Sequence, residues 1–206
     1  MSTQDLSGLF TRGLERLGED PAAHPVEKYL WYLAELAKWN EAYNLTAIRD
    51  PAQMVTHHLL DSLSILPWLQ GDRCLDVGTG AGLPGLILAL ARPQTHWTLL
   101  DSKSKKIRFL QNVLFTLKPG NVELVTARVE DYHPSRPFST IVSRAFSSLA
   151  DFYRITGHLK AIDGCLLAMK GTYPQQELAE LSGPAPEVVR LDVPGLDSER
   201  HLVIFR

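Results

Sequence analysis

Leu75-Asp76-Val77-Gly78-Thr79-Gly80-Ala81-Gly82-Leu83-Pro84-Gly85 is the stretch that decides the fold. A short apolar run, Cys74 to Val77, ends in a glycine-rich turn and passes into an apolar stretch of helical length, Pro84 to Ala91. Glycines at a strand-to-helix turn bring backbone close to a ligand and leave amide donors unblocked. Gly80-x-Gly82-x-x-Gly85 matches the dinucleotide fingerprint letter for letter. Asp101 ends the next strand-like run, 21 residues after Gly80. A carboxylate there can accept bonds from both hydroxyls of a ribose. The pair points to an adenosine-containing cofactor; the bland alternative is a turn that serves packing only. No Gly-Lys-Ser/Thr follows, so a phosphate-cradling P-loop is not supported.

Outward from this turn the rhythm is strand and helix in alternation. Strand candidates are Cys74–Val77, Trp97–Leu100, Val122–Val125, Thr140–Ser143, Cys165–Met169, Val188–Leu191 and Leu202–Phe205. Helices are expected from Pro84 to Ala91 and from Ser104 to Leu117, where Ile107, Leu110, Leu114 and Leu117 share a face. This is the pattern of βαβ units and a parallel sheet with right-handed crossovers. The end departs from it. Only eight residues, Val193 to Arg200, separate the last two strands. A parallel crossover needs about a dozen, so these strands are expected to be antiparallel neighbours. Before residue 71 the chain reads helical. Apolar residues from Val26 to Tyr43 follow helical spacing, and Asp50-Pro51 is an N-cap with proline behind it, opening a helix to about Leu66. The expected organisation is an N-terminal helical extension, 1–70, on a cofactor-binding domain, 71–206, as one structural unit.

Composition bounds the partners. The 206 residues are 45% hydrophobic and 21% charged, ordinary for a globular chain. The longest apolar run, Leu86 to Ala91, is far short of the ~20 residues that a membrane span needs. The first residues hold Asp5 and Arg12 and no apolar core, so no signal peptide is expected. Cys74 and Cys165 form no metal or redox motif and read as buried thiols of a reducing cytosol. Net charge is −2, but residues 1–70 carry −4 and residues 71–206 carry +2. The densest basic run is Lys103, Lys105, Lys106 and Arg108, which by itself reads as a solvated helix face.

Two features favour S-adenosylmethionine over a dinucleotide. Asp76, just before the first glycine, suits a cationic amino group better than a pyrophosphate. The antiparallel final pair departs from an all-parallel dinucleotide sheet. The order Asp76, glycine loop, Asp101 also resembles the first two motifs of class I methyltransferases. That resemblance implies an α/β, Rossmann-like class I S-adenosylmethionine-dependent methyltransferase fold: seven strands, mostly parallel, the last antiparallel.

The resemblance sharpens along the chain. Trp39-Asn40-x-x-x-Asn44-Leu45-Thr46, His58-x-x-Asp61-Ser62, the glycine loop, Asp101-Ser102-x-x-Lys105, Ser143-Arg144-Ala145-Phe146 and Lys170-Gly171 occur in this order. Together they resemble the bacterial small-subunit ribosomal RNA methyltransferase G family, also called glucose-inhibited division protein B, over about residues 26–206. Each motif is weak alone. The resemblance implies S-adenosylmethionine as cofactor, S-adenosylhomocysteine as its product, and methylation of N7 of a guanosine in 16S rRNA. It implies cofactor contacts from Asp76, Gly78, Gly80, Gly82 and Leu83, ribose contact from Asp101, and an adenine edge met by Val129 and Glu130. Arg144 completes that site. The partners implied are 16S rRNA or the small ribosomal subunit in the cytoplasm, with no membrane, no metal and no need of more than a monomer.

The chemistry fits the motifs that are missing. No Asn/Asp-Pro-Pro-Tyr follows the fourth strand and no Pro-Cys nucleophile is present, as amino-group and pyrimidine-C5 methyl transfer would require. N7 of guanine has a free lone pair, so no base must remove a proton, and catalysis is expected to be positioning at roughly 3–3.5 Å. The product is cationic, so Arg144 is expected to bond O6 or a phosphate, or to fix the cofactor loop, rather than crowd N7. N7 lies in the deep groove of A-form RNA, so the target must be looped out or unstacked.

Candidates for RNA contact are Lys105 and Lys106 of the basic run, Lys170 at the ligand end of its strand, Asn44, His58 and Phe146. Each has a plainer role: Asn44 as a helix cap, Phe146 in the core, and His58 bonded to Asp61 or nearby backbone. His57 and His58 point to different faces, so a metal is not expected. Trp31, Trp39, Trp68, Tyr29 and Tyr32 read as core. Two further functions stay open: a nicotinamide oxidoreductase, resting on Gly80-x-Gly82-x-x-Gly85, and a non-catalytic ribosome-assembly protein that binds RNA.

Overall fold

A computed structural model describes residues 2–144, 146, 148–183 and 185–206. The chain begins with α1 (Thr3–Arg16), whose N-terminus is closed by a capping box between Ser2 and Asp5. α2 (Val26–Tyr43) ends on Asn44 in the left-handed conformation. Asp50 caps α3 (Pro51–Met54) through Gln53 N. The single helix expected from here to Leu66 is broken up instead. One π-helical segment, Val55–Leu60, joins α3 to α4 (Asp61–Leu63), and a 3-10 turn, Leu66–Trp68, follows. The wider turn carries His57 and His58, and such bulges recur where a helix serves a site.

The second part alternates β1 (Arg73–Val77), α5 (Gly85–Ala91), β2 (His96–Asp101), α6 (Ser104–Leu117), β3 (Val122–Thr126), β4 (Phe138–Ser143), α7 (Leu149–Thr156), β5 (Lys160–Lys170), α8 (Gln175–Ala179), β6 (Glu187–Leu191) and β7 (Arg200–Phe205). The strands form one seven-stranded sheet in the order β3-β2-β1-β4-β5-β7-β6. β1 to β5 run parallel, and β7 lies antiparallel between β5 and β6, as the short final connection requires. β5 is longer than its apolar run. Lys160 pairs with Phe138 before a register shift, so polar residues extend the strand where it lies half exposed.

Each sheet face carries its own core. Cys74, Trp97, Leu99, Val142, Leu167 and Leu202 point to one side, where they meet α1, α2, α5 and α6. Leu75, Val77, Ile141, Leu166 and Val203 point to the other, against Leu149 and Phe152 of α7. The period-two alternation along each strand makes this division. Tyr29, Tyr32 and Leu36 of α2 share the first core with Leu86, Leu90 and Leu110, so the N-terminal helices pack directly behind the glycine turn. No helix among the described residues is long and apolar enough to cross a membrane.

Candidate functional site

The glycine turn sits at the carboxyl end of β1, beside its neighbours β2 and β4. Gly78 (φ 70°), Gly80 (φ 60°) and Gly82 (φ 92°) all take left-handed backbone, which is why glycine stands there. At Gly82 an added side chain would also meet Leu110 and Leu86, whereas at Gly78 it would point into open space. Asp76 is buried under the turn and holds it. Its Oδ2 accepts from Thr79 Oγ1 at 2.7 Å and from Gly85 N at 2.8 Å. Its Oδ1 is buried with no partner. Burial pushes the Asp76 carboxyl up to about 6, against the pull of the Thr79 and Gly85 bonds. A second support comes from the N-terminal helices. Tyr32, fully buried on α2, donates its hydroxyl to Ala81 O at 2.8 Å, and Tyr29 reaches Ile87 O at 3.2 Å.

Asp101 closes the turn from β2. Its Oδ2 accepts from Gly80 N at 3.0 Å and Lys106 Nζ at 3.3 Å, and its Oδ1 from Lys103 N at 2.9 Å. Above lies a cleft of about 260 Å³ walled by Gly78, Asp101, Ser102, Val129, Glu130 and Phe146. Val129 and Glu130 are presented by a 3-10 turn, Val129–Asp131, after β3. Phe146 also packs on Phe152 with ring centroids 5.4 Å apart, so it is at once wall and core edge.

A second cleft, about 360 Å³, opens at the same end of the sheet over β4, β5 and β7. Among its walls are Thr46, His57, His58, Asp61, Arg144, Lys170 and Arg200. Buried Asp61 sits between two guanidiniums: Arg200 Nε at 3.1 Å and Arg144 Nη1 at 3.7 Å. Arg144 also donates to His57 O at 3.0 Å. Lys170 pairs with Glu177 of α8 at 2.8 Å, and Glu177 accepts Leu149 N at the start of α7. His58 bonds Thr46 Oγ1 at 3.0 Å, and burial pushes its imidazole down to about 4, so it is neutral at pH 7.

Most of the residues singled out in the sequence gather around these two clefts, several in different roles. Leu83 stands on the glycine turn with its side chain buried in the first core. Lys106 turns back onto Asp101 at the glycine turn, whereas Lys105 is exposed. His58 bonds Thr46, not Asp61. Arg144 stands in the second cleft, one strand away from the glycine turn. Asn44 is an exposed helix cap, donating to Asn40 O at 3.2 Å. Ala145 of the Ser143–Phe146 motif lies outside the described residues. Among the described residues no cluster of three His, Cys, Asp or Glu could hold a metal.

Sequence reasoning missed Tyr32, Thr79 and Arg200. Tyr32 is hidden in an apolar helical stripe and nothing local marks it. Arg200 had a signal: it begins the antiparallel strand, so it must return to the ligand end of the sheet.

The residues present fit an adenosyl cofactor bearing a positive charge. Gly78 leaves open space at the turn, Asp101 offers a carboxylate on the cleft wall, and Asp76 Oδ1 is a buried acceptor without a donor.

Comparison with known proteins agrees with this geometry. The family profile described as rRNA small subunit methyltransferase G matches residues 26–203. The chain is 50% identical over 193 residues to the ribosomal RNA small subunit methyltransferase G of Methylobacillus flagellatus, covering 94% of each chain. It is 52% identical over 195 residues to the protein of that name from Chromobacterium violaceum, covering 93% of each. Among solved structures it resembles a SAM-dependent O-methyltransferase from Thermotoga maritima at TM-score 0.54 and 15% identity, over 70% of this chain and 64% of that one.

Proposed function

Because the chain belongs to the rRNA small subunit methyltransferase G family, we propose that it methylates N7 of a guanosine in 16S rRNA with S-adenosylmethionine as donor. The observation that carries the reading is the pairing of two clefts at one end of the sheet. One ends on the glycine turn and Asp101; the other is lined by Arg144, Lys170 and Arg200. When bound, S-adenosylmethionine supplies the methyl group. Gly78 and Gly80 would face it through backbone, Asp101 would take the ribose, and Val129 and Glu130 the adenine edge. Gly82, Leu83 and Asp76 act from behind by holding the turn.

The second cleft would take the nucleotide. Arg144 and Arg200 are fixed by buried Asp61, so their planes are set before RNA arrives and little side-chain entropy is lost on binding. They suit guanine O6 or a phosphate, both of which accept from guanidinium. His58, uncharged at pH 7, shapes the wall without adding a cation beside a base that becomes cationic. N7 needs no deprotonation, so no residue is assigned as general base. The reading places the protein in the cytoplasm on the small ribosomal subunit and requires one copy.

The test is methyl transfer from labelled S-adenosylmethionine to small subunits purified from cells lacking this protein, followed by nucleoside mass spectrometry. New 7-methylguanosine at one position is the expected result. Cofactor binding without transfer would discard the substrate assignment. Neither binding nor transfer would return the glycine turn to the dinucleotide reading.

A further inference from the structure

We propose that an RNA strand entering the second cleft continues across the outer end of the sheet, over β5, β7 and β6, with one unpaired base stacked on Tyr173. This rests on the rRNA reading above and adds a contact surface outside both clefts. The surface follows from strand register. Lys170 pairs with His201 across β5 and β7, and Arg190 pairs with His201 across β7 and β6. Directly paired residues project to the same face, so Lys170, His201 and Arg190 form one row. The row begins in the cleft, because Lys170 lines it, and ends at exposed Arg190 on the edge strand.

Tyr173 stands over the middle of this row. Its ring meets His201 edge-on, with centroids 5.5 Å apart and planes at 85°. His201 is itself fixed by Gly171 O at 3.0 Å. Tyr173 remains 53% exposed, the one strongly exposed aromatic among the described residues beside the clefts. The other, Phe115, lies on α6. An aromatic ring braced from below and open above, with the exposed guanidinium of Arg190 further along the row, is an arrangement that suits an unpaired nucleotide: the ring stacks a base and the cation meets a phosphate, while Lys170 stays paired with Glu177. A target guanosine displaced from its stack has flanking nucleotides that need such a resting place.

The experiment measures KM for undermethylated small subunits at saturating S-adenosylmethionine, over a range of salt, for the intact protein and three variants. Loss of one base stack corresponds to roughly a 5- to 150-fold change, so Tyr173→Ala should raise KM by that factor. Its melting temperature and its Kd for S-adenosylmethionine should match the parent. Tyr173→Phe should restore KM, since stacking needs the ring and not the hydroxyl. Arg190→Ala should lower the slope of log affinity against log salt by about 0.7, the contribution of one phosphate on a single strand. A Tyr173→Ala KM within twofold of the parent would overturn the proposal, as would a Phe variant as defective as Ala. A raised KM with an unchanged salt slope in Arg190→Ala would also overturn it, in favour of contact with a ribosomal protein. If the parent protein transfers no methyl group, the function reading itself falls, and that outcome is separate from the variants.

Discussion

The buried carboxylate of Asp76 costs the ligand-free protein stability at neutral pH, and the cost can be measured. Burial raises its carboxyl from the ordinary 3.8 to about 6. A raised pKa means that the folded chain holds this proton more tightly than the unfolded chain. The stabilisation is therefore fully present below about pH 3.8 and is lost as pH rises through about 6. The whole loss is about 3 kcal/mol, of which roughly half falls between about pH 5 and pH 7.5. Asp76→Asn has no proton to lose, and its amide oxygen can still accept from Thr79 Oγ1 and Gly85 N. Urea unfolding of both proteins without donor, at steps between those pH values, isolates the group. The stability of the variant relative to the parent should grow by about 1–2 kcal/mol as pH rises. Other titrating groups cancel in the difference. A difference independent of pH would refute the claim that this carboxylate is held against its desolvation. At pH 7.5 the same variant should bind S-adenosylmethionine more weakly by calorimetry, because a buried negative charge under the turn is gone.

Four further outcomes are expected. Tyr32→Phe strips Ala81 O of its buried donor, which should cost about 1–3 kcal/mol in denaturant unfolding and weaken donor binding measured by titration. Gly85→Ala would place a methyl group 2.6 Å from Asp76 Cβ, so a large drop in melting temperature with loss of donor binding is expected; a variant as stable as the parent would count against the packing described. Arg144→Ala should reduce methyl transfer far more than melting temperature, since Asp61 keeps Arg200; equal loss of both would make Arg144 merely structural. The single-turnover rate at saturating donor should be flat from about pH 7 to pH 9, because N7 methylation needs no general base, and a protein pKa in that window would disprove it.

The glycine turn, Asp101 and the short final connection were legible because each is a local constraint. Left-handed backbone selects glycine, Asp101 ends the second strand beside the turn, and eight residues cannot make a parallel crossover. These determined the seven-stranded sheet with its reversed last strand and the place of the glycine turn and Asp101 on the wall of one cleft. What stayed hidden depends on side chains far apart in sequence. Tyr32 read as core, and it is core, but burial alone does not say that its hydroxyl ends on Ala81 O, 49 residues away. Lys106 belonged to a basic helix face until packing turned it onto Asp101. Arg144 lay in a different motif from Asp61, and only the packing of the π-helical turn on the sheet and the return of β7 bring them together with Arg200. Sequence alone determined the glycine turn and the alternation of strands and helices, because sterics and hydrogen bonding act over a few residues, but not the π-helical turn at Val55–Leu60. Tertiary structure decided which charges meet, because burial and ion pairing are set by neighbours that the chain brings in from elsewhere.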